Sequence, residues 1–130
     1  MSKVRYVLDA SALLALLFRE PGAERVEAVL NGASISAANW SEVVSKLIDK
    51  GLPASEVLHD LGELDIVIVP ASREHAELAG TMRETTQSSG LGLGDRICLA
   101  LGIHANATVL TSDRIWATLG FEQPVIELIR

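Results

Sequence analysis

The sequence predicts an α/β protein, a three-layer α/β/α sandwich around a mostly parallel sheet of about five short strands. Three observations predict it. Short runs rich in β-branched and aromatic residues, such as "VRYVL" and "LDIVIV", alternate with stretches of helical periodicity. Strands that follow one another through helices pair in parallel through right-handed crossovers. The chain has 130 residues and is 48% hydrophobic, enough for one domain, residues 1–130, with its own core and with neither repeat nor linker.

Taken in order, Val4 to Leu8 reads as a buried strand, and Ser11 to Phe18 as an apolar helix ended near Pro21 and Gly22. A second helix spans about Ala23 to Leu30, with Val26, Val29 and Leu30 on one face and Glu24, Arg25 and Glu27 on the other. The brief strand "ASISA" follows. The third helix runs from about Trp40 to Lys50, and Pro53 opens a fourth that continues to about Leu61. Leu64 to Val69 is the clearest strand in the sequence, ended by Pro70, and a fifth helix covers Arg73 to about Glu84. The polar, Gly-rich "TTQSSGLGLG" reads as a flexible loop of the kind that carries function. A sixth helix from about Asp95 to Ala105, the strand "ATVLT", the short helix "DRIWATL" and the strand "PVIELI" complete the chain.

Composition narrows the function classes. The net charge of −6 argues against broad electrostatic attraction to a nucleic-acid backbone or an anionic membrane. A polyanionic substrate therefore needs a local basic patch or a bound divalent cation. No apolar stretch approaches the roughly 20 residues of a spanning helix, so a cytoplasmic protein with no membrane association is expected. Cys98 is the only cysteine, which excludes an internal disulfide; inside the apolar "RICLAL" it reads as a small buried hydrophobe.

In open parallel sheets, ligands bind beyond the carboxyl ends of the strands. Four acids fall there. Asp9 follows the first strand, Glu42 sits in the first turn of the third helix, Asp95 opens the sixth and Asp113 follows "ATVLTS". Each has a capping explanation: Asp95 and Asp113 are good N-caps, Asn39 with Glu42 imitates a capping box, and Asp9 precedes a helix that Ser11 can also cap. Capping does not explain why the acids gather at one edge, since the fourth and fifth helices start without one. Four converging carboxylates repel unless a cation sits among them, and oxygen-only donors favour Mg2+ or Mn2+ over zinc or copper. Ser11 capping the helix, with Asp9 left free for the metal, is the division of labour this reading expects.

"VLDASALLALL", "NWSEVVSKL", "LGLGDRICLALG" and "VLTSDRIWATL" together resemble the four acidic motifs of the PIN-domain ribonucleases, in particular the VapC-type toxins of bacterial toxin–antitoxin pairs. The likeness spans essentially the whole chain. It implies a metal-dependent endoribonuclease in which Asp9, Glu42, Asp95 and Asp113 form the acidic quartet, Asp9 and Asp95 being the closest ligands of Mg2+ or Mn2+. Ser11 and Thr111 fall where the family places a small polar residue beside the site. It further implies an RNA substrate, a cognate antitoxin whose C-terminal segment lies across the site, and a homodimer. Arg96 and Arg114, each next to an acid, and Lys46, one turn beyond Glu42, are the cations nearest the motifs; each reads equally as an RNA contact or as an ordinary surface charge.

His59, His75 and His104 lie on helices without ligand spacing, and Trp40 and Trp116 read as core or interface residues. A phosphatase of the haloacid dehalogenase type needs a second Asp where Ser11 stands, and a phospho-acceptor receiver domain needs an Asp where Pro70 ends the strand. The alternatives that survive are a non-catalytic PIN-fold binding module and a housekeeping RNA-processing nuclease.

Overall fold

Strand β1 (Tyr6–Leu8) buries Val7 and Leu8 on opposite faces, as a strand does when helices cover both sides of its sheet. The structure is a computed structural model and describes residues 4–130. After β1 come α1 (Ala10–Leu17), α2 (Ala23–Val29), β2 (Ser34–Ser36), α3 (Ala37–Asp49), α4 (Ala54–Gly62) and β3 (Val67–Val69). Then follow α5 (Arg73–Thr81), α6 (Arg83–Thr86), α7 (Leu93–His104), β4 (Thr108–Thr111) and β5 (Val125–Leu128). All strand pairs are parallel, in the order β3-β2-β1-β4-β5. The expected α/β/α sandwich with five short strands is therefore what the chain forms.

Two cores flank the sheet. Leu8, Ile35 and Leu110 face the layer of α1 to α4, where Leu13, Val26, Val43 and Val57 pack. Val7 and Val109 face α5 and α7, meeting Leu99, Met82 and Trp116. Alternate residues of one strand thus serve different cores. Helix α7 lies so close to β4 that a Cβ on Gly102 would stand 2.5 Å from Val109 Cγ2.

Several boundaries differ from expectation. Val4 is exposed and precedes β1, and β3 is only three residues long although its sequence reads as the clearest strand. Among the described residues β3 pairs with β2 alone, at the sheet edge, and Val67 and Ile68 remain 52% and 40% exposed. Helix α3 starts at Ala37, not Trp40, because Ser36 at the end of β2 caps it by accepting the Asn39 N–H. The stretch read as a flexible loop holds the end of α6, a 3-10 turn at Gln87–Ser89 and the start of α7. Buried Thr86, whose hydroxyl donates to Met82 O at 2.7 Å, and buried Leu91 anchor it.

The chain order creates the functional edge. From central β1 the chain moves outward through β2 to β3, then returns to the far side of β1 as β4. The carboxyl ends of β1, β2 and β4 are the neighbourhood of that reversal, where α/β sheets open a crevice.

Candidate active site

Asp9 is the first residue beyond β1, and its N–H continues the ladder by donating to Leu110 O. It is 5% exposed. One carboxylate oxygen accepts from the Ala12 N–H at 2.8 Å and the Ser11 hydroxyl at 2.7 Å; the other accepts from the Thr111 hydroxyl at 2.6 Å. Asp9, not Ser11, is the N-cap of α1. The expected division of labour is overturned, because Ser11 is turned to Asp9: its hydroxyl donates there and accepts the Ser112 N–H. Thr111 Oγ1 likewise accepts the Asp113 N–H, so Ser11 and Thr111 stitch the end of β1 to the end of β4 through Asp9.

This carboxylate is costly. Burial raises its pKa from the ordinary 3.8 to about 6, with the three hydrogen bonds pulling down and the charge of Asp95 adding to the rise. At ~1.4 kcal/mol per pH unit, that is about 3 kcal/mol against the charged form. A helix cap contributes only about 1 kcal/mol, and a serine would supply it without a buried charge. The bond from Ala12 and those from Ser11 and Thr111 thus offset only part of what burial costs the charged form.

The other three acids arrive from different elements. Asp95 is in the first turn of α7; the N-cap is Gly92, whose N–H donates to the Asp95 carboxylate at 3.1 Å. The expected cap role therefore belongs to Gly92. Asp95 is half-buried, and its pKa is raised first by burial, then by Glu42 and Asp113, against the Gly92 bond and Arg96. Asp113 caps the 3-10 helix Arg114–Thr118 by accepting the Ile115 N–H. Glu42 is in α3, and the imitation of a capping box fails: Ser36 is the cap, while buried Asn39 donates its amide to Glu42 Oε1 at 2.6 Å.

All four carboxylates line one cleft of about 220 Å³, together with Ser11, Asn39, Leu14 and Lys46. Among the described residues no three Asp, Glu, His or Cys side chains are drawn into a closed ligand set. The arrangement is an open ring of acids, with Lys46 as the one cation lining it among the described residues. Its donor type and its uncompensated charge fit a hard divalent cation.

A family model described as PIN domain matches residues 6–122. The chain belongs to the PIN domain family. A search of curated protein sequences returns no match. Among solved structures, the fold is similar to a toxin–antitoxin complex from Klebsiella pneumoniae, with 21% identity, a TM-score of 0.75, and 96% of this chain and 98% of that chain covered. It is similar to a DNA-bound VapBC from Salmonella typhimurium at 16% identity and a TM-score of 0.75, covering 98% and 100%. It also resembles the VapC20 toxin of Mycobacterium tuberculosis, described as cleaving the sarcin–ricin loop, at 15% identity and a TM-score of 0.74, covering 92% and 98%.

Around the PIN cleft the cations sort differently from the sequence expectation. Lys46 lines it. Arg96 instead donates from Nη1 to Ala79 O at 3.0 Å, docking α7 on α5, and Arg114 is exposed outside the cleft lining. Away from the cleft, the fold joins two histidines that the sequence leaves apart: His75 Nε2 is 3.0 Å from His104 Nδ1, and Ser72 N–H donates to His75 Nδ1. Cys98 is fully buried, which pushes its thiol well above its usual range, and Trp116 is core. No helix among the described residues is long and apolar enough to cross a membrane. The residues that sequence reading missed are Asn39, seen only as a cap, and Ser36. Their signal was present as "SAANWSE", three-residue spacings that place Ser36, Asn39 and Glu42 on one helical face.

Proposed function

We propose that this chain is a metal-dependent endoribonuclease acting as the toxin of a toxin–antitoxin pair. The observation that carries the proposal is the gathering of Asp9, Glu42, Asp95 and Asp113, from four separate segments, around one cleft of a PIN-family chain. Asp9 also caps α1, but a carboxylate whose charged form burial disfavours, set in a cleft with three other acids, supports a cation bound there. Asp9 and Asp95 would hold Mg2+ or Mn2+, with Glu42 and Asp113 completing the charge. Held there, such a cation would supply charge neutralisation at the scissile phosphate and would acidify water at neutral pH.

The chain's own groups prepare that chemistry. Ser11 and Thr111 fix Asp9 by both of its oxygens, so its geometry does not depend on the ion. Lys46 meets the scissile region's phosphates at the cleft, compensating for an acidic protein. Arg96 and Arg114 are left outside this role. Residues 1–130 act as one PIN domain in the cytoplasm.

The resemblance to VapBC complexes supports an antitoxin as partner, its chain covering the acidic cleft. The exposed Val67 and Ile68 on edge strand β3, and Leu58 at 58% exposure on α4, support a second copy as a further partner.

The test is cleavage of an RNA panel by purified protein. Cleavage with Mg2+ or Mn2+, its arrest by chelator, and its loss in Asp95→Asn are expected. Equal cleavage by wild type and variant, with contaminating nuclease excluded, would contradict the catalytic reading.

A further inference from the structure

An uncharged side chain in the cleft, Asn39, joins the helix that bears Glu42 to the start of the helix that bears Asp95. Asn39 is 1% exposed. Its N–H donates to Ser36 Oγ at 3.0 Å, and the Ser36 hydroxyl donates in turn to Asn39 Oδ1 at 3.0 Å. That exchange fixes the orientation of the amide. Nδ2 then has two protons and two acceptors, Glu42 Oε1 at 2.6 Å and Gly94 O at 3.4 Å. Gly94 immediately precedes Asp95, and it is glycine for a reason visible here: a Cβ on it would stand 2.5 Å from Glu42 Oε1 and 3.4 Å from Asn39 Nδ2.

We infer that Asn39 is a positioning residue of the cleft: its amide clamps Glu42 between α3 and the start of α7, setting where Glu42 stands relative to Asp95. This role rests on the cation site proposed above. Glu42 is an exposed side chain in α3, so it needs no buried partner for its own solvation. What the bond removes is its freedom to swing into solvent. The donor's chemistry also matters. A lysine or arginine at position 39 would neutralise Glu42 and repel a cation, and an aspartate would add a further negative charge against it. A neutral amide holds the carboxylate and leaves its charge to the site. Hydrogen-bonded partners of this kind orient metal ligands, and losing one typically weakens binding 10- to 100-fold.

The experiment is Mn2+ titration followed by electron paramagnetic resonance on wild type, Asn39→Ala, Glu42→Ala and the double variant, with thermal unfolding of each. Asn39→Ala is expected to weaken Mn2+ binding about 10-fold in the wild-type background and less than about twofold when Glu42 is already alanine. Gly94→Ala, which displaces Glu42 while leaving the Asn39 amide its Ser36 partner, is expected to reproduce the loss if Asn39→Ala does not fold. Wild-type affinity in folded Asn39→Ala would overturn the role, as would wild-type affinity in Gly94→Ala where Asn39→Ala does not fold, or an equal loss with and without Glu42. A wild type that binds no Mn2+ would instead overturn the cation site, and this role with it.

Discussion

Burial shifts Asp9 toward its protonated form, which makes its contribution to stability run opposite to that of a surface carboxylate. It ionises near the ordinary 3.8 when unfolded and at about 6 in the folded protein. Between those values the native state holds the extra proton, so stability falls as pH rises through the window and the full cost, up to about 3 kcal/mol, persists above it. Asp9→Asn keeps the shape and removes the charge. In metal-free protein the variant is expected to be more stable than wild type by about 1–3 kcal/mol at pH 7.5, the gain vanishing toward pH 4. Denaturant unfolding at the two pH values checks this; a variant less stable at pH 7.5 contradicts it. The position of Asp9 was legible in the sequence because a charge directly after an apolar strand is conspicuous. Its cap was not, since "DAS" offers Asp9 and Ser11 as equal candidates, and only the arrival of Thr111 and Ser112 from β4 turns Ser11 toward Asp9.

At the scale of elements, helices were legible to within about three residues because their periodicity and breakers are local. Edge strand β3 was overread, since "LDIVIV" has the composition of a central strand and sequence does not reveal how many neighbours it will have. The Gly-rich stretch was misread for the opposite reason: Thr86 and Leu91 are ordinary residues until the fold buries them. Gly102 illustrates a constraint between elements that no local pattern announces. Its replacement by Ala would improve helix propensity by roughly 1 kcal/mol but force a Cβ against Val109. Overpacking wins, and Gly102→Ala is expected to lower stability by about 1–3 kcal/mol while leaving Mn2+ affinity unchanged. A Tm equal to or above that of wild type would show that α7 can move off β4.

Across the whole molecule, the order β3-β2-β1-β4-β5 lets four acids separated by as much as the distance from Asp9 to Asp113 in sequence share one cleft. The sheet rule located the edge from sequence, and the motifs located the acids. What neither gave was the cation inventory, because whether an arginine faces the cleft depends on what its helix packs against. Arg96 is spent on α5, and Lys46 alone among the proposed basic residues lines the cleft. The protein thus presents an acidic cleft on an acidic chain, an arrangement that makes chemical sense for a polyanionic substrate once a cation is bound there. The most direct measurement of that claim is anomalous diffraction at the manganese edge from crystals soaked in Mn2+. A peak among Asp9, Asp95, Glu42 and Asp113 is the result predicted; saturating Mn2+ with no peak in this cleft, or with its peak elsewhere, would contradict the account.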